Sequence, residues 1–204
     1  MRDTKGIIID VRGSLCPKPV IETKKVTDTN PSEVVTTIVD NEVSRDNVEK
    51  FGKSRGYGVT IEQDGKDFYL TMVPNQVSVD GFDAENLQIP GANIGNRVML
   101  MTKDYLGEGS EELGSNLMKT FWTCMVEADV KPSKIYFINS AVKMVTNDSV
   151  HLDSLKQLAE FGVEIAACGI CLDYYNVKDQ VGVGSITNLY AITDSIVGEN
   201  LVKL

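Results

Sequence analysis

Residues 75–95 (NQVSVDGFDAENLQIPGANIG) contain no Lys or Arg, three acids, three Gly and one Pro. Such a stretch reads as a semi-ordered linker, with Val77, Val79, Phe82, Leu87 and Ile89 free to pack on a surface. A chain of 204 residues interrupted there is left with two small units, residues 1–74 and 96–204. Hydrophobic residues make up 42% of the chain, enough to offset chain entropy in both units, so disorder over most of the chain is excluded. No apolar run approaches the ~18 residues of a membrane span. The three Ile near the start, flanked by Asp3 and Asp10, are too short a run for a signal-peptide core. The cytoplasm is the expected location.

Charge differs between the two parts. Residues 1–74 hold 11 Lys and Arg against 12 Asp and Glu, whereas residues 75–204 hold 9 against 17. The second part repels a phosphate backbone, and no direct nucleic-acid or membrane partner is expected. The chain has one histidine, His151, which rules out any mechanism needing two.

In the first unit, residues 6–11 form a short apolar run that predicts a buried strand. Residues 12–15 are a loop, and Cys16-Pro17-Lys18-Pro19 opens a helix to about Thr27. Residues 33–40 are β-branched and predict a strand. Asn41 starts a helix ending near Gly56, and Asp64-Gly65 marks a hairpin between residues 57–63 and 67–73. The order β-α-β-α-β-β predicts a two-layer sandwich.

Residues 96–204 alternate strand and helix, which predicts a mostly parallel α/β/α sheet. Strands are expected over 97–102, 134–138 and 163–167, with an edge strand at 201–204. Helices are expected over 111–127 and 152–161. The first should turn Leu113, Leu117, Phe121, Cys124 and Met125 inward, and the second Leu152, Leu155, Leu158 and Ala159. Residues 140–148 read as a loop, and Ser185 as the cap of a last helix over 186–197. Gly107-Glu108-Gly109-Ser110 lacks the Gly-Lys-Ser/Thr ending of a P-loop, and its acids repel phosphate, so it reads as a turn before a helix. His151 reads as a capping or surface residue, and Trp122 as core or an oligomer contact.

Four cysteines, Cys16, Cys124, Cys168 and Cys171, point away from a disulfide scaffold toward thiol chemistry. Cys16 lies next to a helix N-cap, where unpaired N–H groups and the positive helix end favour a negatively charged sulfur. Lys18 adds to this if its side chain folds back. Pro17 and Pro19 stiffen the turn. A thiolate without an adjacent acid or base suits accepting a sulfur atom as persulfide and passing it on; the bland alternative is a core cysteine. Cys168 and Cys171 form C-x-x-C at the end of a predicted parallel strand, where open α/β sheets place their sites. That pair reads as a thiol–disulfide couple with the second Cys resolving, as half a zinc site, or as two small residues in a turn. Asp173, Tyr174 and Tyr175, directly after it, either line a pocket or simply pack. Cys124 falls on the apolar stripe and reads as core.

Asp10-x-Arg12-Gly13-x-x-Cys16-Pro17-x-Pro19 resembles the signature of the TusA/SirA family of sulfur carriers, over roughly residues 5–74. The resemblance implies that Cys16 carries persulfide sulfur toward tRNA thiolation, molybdenum cofactor or sulfur oxidation. It also implies that Asp10, Arg12, Gly13, Pro17 and Pro19 shape the site. Residues 158–165 (LAEFGVEI) followed by Cys168 resemble the helix-strand-Cys segment of DsrE-type sulfur-transfer proteins. A fusion of the two resembles the YedF family, linked to selenium metabolism. These resemblances imply a carrier of sulfur or selenium with Cys16, Cys168 and Cys171 as its thiols and no cofactor. The implied partners are a cysteine desulfurase or other chalcogen donor, a downstream acceptor protein, and further copies of the same chain. The alternatives are a thiol–disulfide oxidoreductase using Cys168 and Cys171, and a non-catalytic regulatory or interaction protein.

Overall fold

A computed structural model of the chain describes residues 6–74, 93–198 and 200–204. The chain divides into two compact units, residues 1–86 and 87–204. Most of the linker expected at 75–95 lies outside the described residues. Its end does not: residues 93–94 form a short strand.

The first unit holds β1 (Ile7–Asp10), α1 (Lys18–Thr29), β2 (Val35–Val39), α2 (Glu42–Ser54), β3 (Tyr57–Asp64) and β4 (Asp67–Pro74). Its sheet runs β1-β2-β4-β3, with β1 parallel to β2 and the other pairs antiparallel. Val35, Val39, Phe68, Leu70 and Met72 point to one face and meet Val48, Val20 and Val26 of the helices. This is the two-layer β-α-β-α-β-β arrangement. One helix start is set by Asn41, whose side chain accepts from the Ser44 N–H at 2.8 Å. Two hydroxyls tie α1 to β2: Thr23 Oγ1 donates to the Pro19 carbonyl at 2.7 Å and lies 3.0 Å from Thr37 Oγ1. The strand expected to be buried, β1, is instead a sheet edge with Ile8 49% exposed. Its side chains alternate because the helices cover only one face.

The second unit holds β5 (Asn93–Ile94), β6 (Arg97–Met101), α3 (Glu111–Glu127), β7 (Val130–Lys131), β8 (Lys134–Phe137), α4 (Leu152–Glu160), β9 (Glu164–Cys168), α5 (Gly169–Tyr174), β10 (Ser185–Thr187), α6 (Leu189–Val197) and β11 (Asn200–Lys203). Five strands form a parallel sheet in the order β10-β9-β8-β6-β11, and β5 pairs separately with β7. Met99, Met101, Ile135, Phe137, Ile165 and Ala167 face Met118 and Trp122 of α3 and Leu155 and Leu158 of α4. Val98, Leu100, Tyr136, Ala166 and Cys168 face Ile192 of α6. These two cores make the unit a mostly parallel sheet with helices on both faces.

Four expectations fail here. Phe121 and Met125 of α3 pack against the core as expected, but its buried residues are Gly114, Met118 and Trp122, while Leu113 is 58% and Leu117 43% exposed and Cys124 is exposed too. Residues 139–145 are a 3-10 helix rather than a loop, with Ala141, Val142, Met144 and Val145 buried. Ser185 opens strand β10, and the last helix is capped by Asn188, which accepts from the Ala191 N–H at 2.9 Å. His151 precedes α4 but makes no side-chain cap and is buried. Ser110, by contrast, caps α3 through the Leu113 N–H, with Glu111 and Glu112 favourably placed in its first turn.

Candidate functional site

Cys16 is exposed and sits immediately before Pro17, the N-cap of α1, with Pro19 buried in the first turn. The loop that delivers it is held by carboxylates. Arg12 donates through Nε to Asp10 Oδ1 at 2.9 Å and through Nη1 to Asp67 Oδ2 at 2.8 Å. The Gly13 N–H donates to Asp40 Oδ2 at 3.0 Å. Asp10 first and Asp67 second hold the Arg12 guanidinium charged, and the same Arg12 hydrogen bond lowers the Asp10 carboxyl. Asp40 is lowered chiefly by the Gly13 N–H. These bonds make the loop a fixed arch between β1 and α1. Lys18 is exposed, and the polar group that reaches the sulfur comes from elsewhere: Asn47 Nδ2 of α2 donates to Cys16 Sγ at 3.6 Å.

In the second unit Cys168 ends β9 and is the N-cap of α5; Cys171 lies on α5. Both are free thiols. Cys168 is 1% exposed, and Cys171 is half-buried. This burial reverses the order the motif suggests, because the thiol that an outside molecule meets is the second one. Cys171 Sγ accepts the Asn139 N–H at 3.1 Å. Asn139 takes the left-handed φ of 53°, and its Oδ1 accepts from Tyr175 Oη at 3.0 Å. Burial pushes the Cys171 thiol up and the neighbouring Cys168 pushes the same way, while the Asn139 N–H pulls it down. Tyr175 also packs under Lys143, whose Nζ lies 4.8 Å from the ring centre and 3.3 Å from Asp104 Oδ2. Lys143 and Asp104 line a polar cavity of about 340 Å³ with Lys119, Asp148 and His151. Among the described residues, no helix is long and apolar enough to cross a membrane.

The sequence matches the family model of sulfurtransferase TusA over residues 7–73. A Methanocaldococcus jannaschii protein named as a candidate sulfur carrier is 32% identical over 66 residues, which cover 88% of that protein and 32% of this chain. The chain belongs to the TusA family. A solved SirA-like protein from Desulfitobacterium hafniense is 37% identical over 34% of this chain and 99% of its own, with a TM-score of 0.32. The ychN protein of E. coli is 12% identical over 54% of this chain and 100% of its own, with a TM-score of 0.39. The TusA match spans the first unit alone, and it contains Asp10, Arg12, Gly13, Cys16, Pro17 and Pro19 together with their carboxylate partners.

Sequence reasoning misses Asp40, Asp67, Asn47 and Asn139, and gives Tyr175 no more than a lining or packing role. Asp40 directly follows β2, the neighbour of β1, and Asp67 opens β4 on the far side of β2, a register fact with no local signature. Asn47 lies mid-helix, where an amide side chain carries no mark of its partner. The Tyr175 hydroxyl contact depends on the 3-10 helix at 139–145, a stretch whose sequence looks like a loop.

Proposed function

We propose that the protein is a sulfur carrier that bears sulfane sulfur as a persulfide on Cys16. The observation that supports this most directly is the exposed Sγ at the mouth of α1, on an arch fixed by three carboxylates and met by the Asn47 amide. A donor persulfide, such as that of a cysteine desulfurase, gives its outer sulfur to the Cys16 thiolate and departs as its own thiolate. Atoms and charge balance without a cofactor. Asp10, Arg12, Gly13, Pro17 and Pro19 hold the approach open, and the Asn47 amide donates to the sulfur that attacks the donor persulfide.

The second unit is proposed as DsrE-like, making the whole chain a YedF-type fusion, with Cys171 as the thiol that exchanges sulfur and Cys168 behind it. Support comes from the 158–165 segment running into Cys168 and from the half-open position of Cys171 at the strand ends. Selenium fits the same residues, since a perselenide needs the same thiol and the same donors. Loading the full chain with a cysteine desulfurase and cysteine, followed by peptide mass mapping, tests the reading. One added sulfur on the Cys16 peptide that disappears in Cys16→Ser is the expected result. Sulfur elsewhere with none on Cys16 overturns it, and parallel loading with the same desulfurase and selenocysteine, which delivers selenium at the matching oxidation level, tells which element is held.

A further inference from the structure

We propose that the second unit discharges sulfur as hydrogen sulfide: Cys171 receives the sulfane sulfur as a persulfide, and Cys168 expels it by closing a Cys168–Cys171 disulfide. The proposal rests on the reading of this pair as the second thiol site and adds an activity to it.

Three observations carry it. The first is placement. Cys168 is the N-cap of α5 and Cys171 is three residues on, in the first turn. Groups at those two positions face one another, as they do when an N-cap side chain and the third helical residue satisfy each other. Residues so related fall in the range that a disulfide bridges, about 4.4–6.8 Å between Cα atoms. The second is asymmetric access. Cys168 points into the apolar layer of Val98, Leu100, Tyr136, Ala166 and Ile192, whereas Cys171 lies at the border of both cores and is half open. A protein-bound persulfide can meet Cys171, and Cys168 can meet only what Cys171 holds. The third is the donor on the accepting sulfur. The Asn139 N–H rests 3.1 Å from Cys171 Sγ and is fixed by the Tyr175 hydroxyl on its own side chain. A preset donor at the sulfur partly offsets its burial and favours the thiolate form in which Cys171 attacks the incoming persulfide.

The step balances within the chain. The Cys168 thiol gives up its proton, and its sulfur attacks Sγ of the Cys171 persulfide. The bond from Sγ to the outer sulfur breaks, and that sulfur leaves with the electron pair as HS⁻, which takes up the proton. Two thiols are oxidised to one disulfide, and one sulfane sulfur is reduced to sulfide. Further turnovers require an external dithiol reductant of the thioredoxin class to reopen the disulfide. Attack on the outer sulfur would only move it to Cys168, without release.

The test uses the full chain, fully reduced, treated with sodium polysulfide, desalted, and followed with no added reductant. Sulfide is trapped with monobromobimane, and the peptide holding residues 168 and 171 is weighed. The native chain should release sulfide while that peptide loses the mass of two hydrogens. Cys168→Ala and Cys168→Ser should release at least ten-fold less from this site and keep one extra sulfur on Cys171. Two variants are used because the buried site favours Ala and the shape favours Ser; the fluorescence of Trp122, the single Trp, reports whether each is folded. Release undiminished in both folded variants overturns the proposal. So does a native chain that keeps a stable Cys171 persulfide, an outcome that leaves Cys171 standing as a sulfur site. If no sulfur reaches Cys171 in either variant while Cys16 loads, the second-site reading falls and the discharge step with it.

Discussion

The hydroxyl pair between α1 and β2 sets up a prediction whose sign depends on direction of donation. Thr23 and Thr37 are both fully buried. Thr23 Oγ1 donates to the Pro19 carbonyl, so the hydrogen shared between the two hydroxyls belongs to Thr37. Thr23→Val removes both bonds and leaves the Thr37 hydroxyl without a partner in an apolar layer. A lost bond plus an orphaned donor costs about 2–3 kcal/mol. Thr37→Val removes one bond and leaves Thr23 still bonded to Pro19, costing about 0.5–1.5 kcal/mol. The double variant makes both sites apolar at nearly unchanged shape and should cost no more than Thr23→Val alone, giving a coupling of about 1 kcal/mol or more. Hydrogen exchange of the slowest amides in residues 18–39 reads the stability of the first unit without interference from the second. Trp122 lies in the core of the second unit, so its fluorescence does not report directly on these substitutions and cannot replace the exchange measurement. Equal costs for the two single variants, adding in the double, would refute the assigned direction and the coupling. The outcome bears on the site, since Pro19 is in the turn that presents Cys16.

Burial first and nearby Lys119 second push His151 below its ordinary range, against the opposing pull of Asp104. The unfolded chain then binds the proton more readily, so stability is complete above about pH 6.5 and falls as pH drops below it. With one histidine in the chain, His151→Gln should flatten the urea midpoint between about pH 7.5 and 5.5, and an unchanged slope counts against this. Gly184 has φ +80°, and a Cβ there would lie 2.5 Å from the Ile165 carbonyl oxygen. Gly184→Ala should therefore destabilise the second unit by about 2 kcal/mol or more, read by Trp122 fluorescence in urea. Asn47→Ala should slow persulfide loading of Cys16 about three- to ten-fold while the melting temperature holds, because one donor to the sulfur is lost. Equal loading rates would remove Asn47 from the site.

The alternation of elements is legible because apolar runs, β-branched stretches and caps agree with one another in both units. The rotation of α3 is not. Its apolar residues occupy two neighbouring faces, Leu113, Leu117 and Cys124 on one and Met118, Trp122 and Met125 on the other. Periodicity cannot choose between them. Gly114 decides it: its carbonyl accepts the Leu106 N–H at 3.0 Å, and a Cβ there would come within 2.7 Å of the Leu106 oxygen. That close approach turns Met118 and Trp122 inward. Cys16, Pro17 and Pro19 are visible as a local motif because their chemistry is local. The carboxylate arch is not local, because Asp40 and Asp67 reach Gly13 and Arg12 only through strand register. The relative exposure of Cys168 and Cys171 depends on the α6 layer, which the C-x-x-C spacing does not report.

The strand order of the second unit has a temporal side. The edge strand β11 lies beside β6, so residues made about a hundred positions apart must meet before that sheet is whole. The first unit closes over residues 6–74 with no such wait. During synthesis the unit that holds Cys16 is free to mature while the later sheet is still missing its β11 border. Nascent chains halted before residue 200 would carry a finished arch in the first unit and an open β6 flank in the second, the form most exposed to pairing with a neighbouring polypeptide.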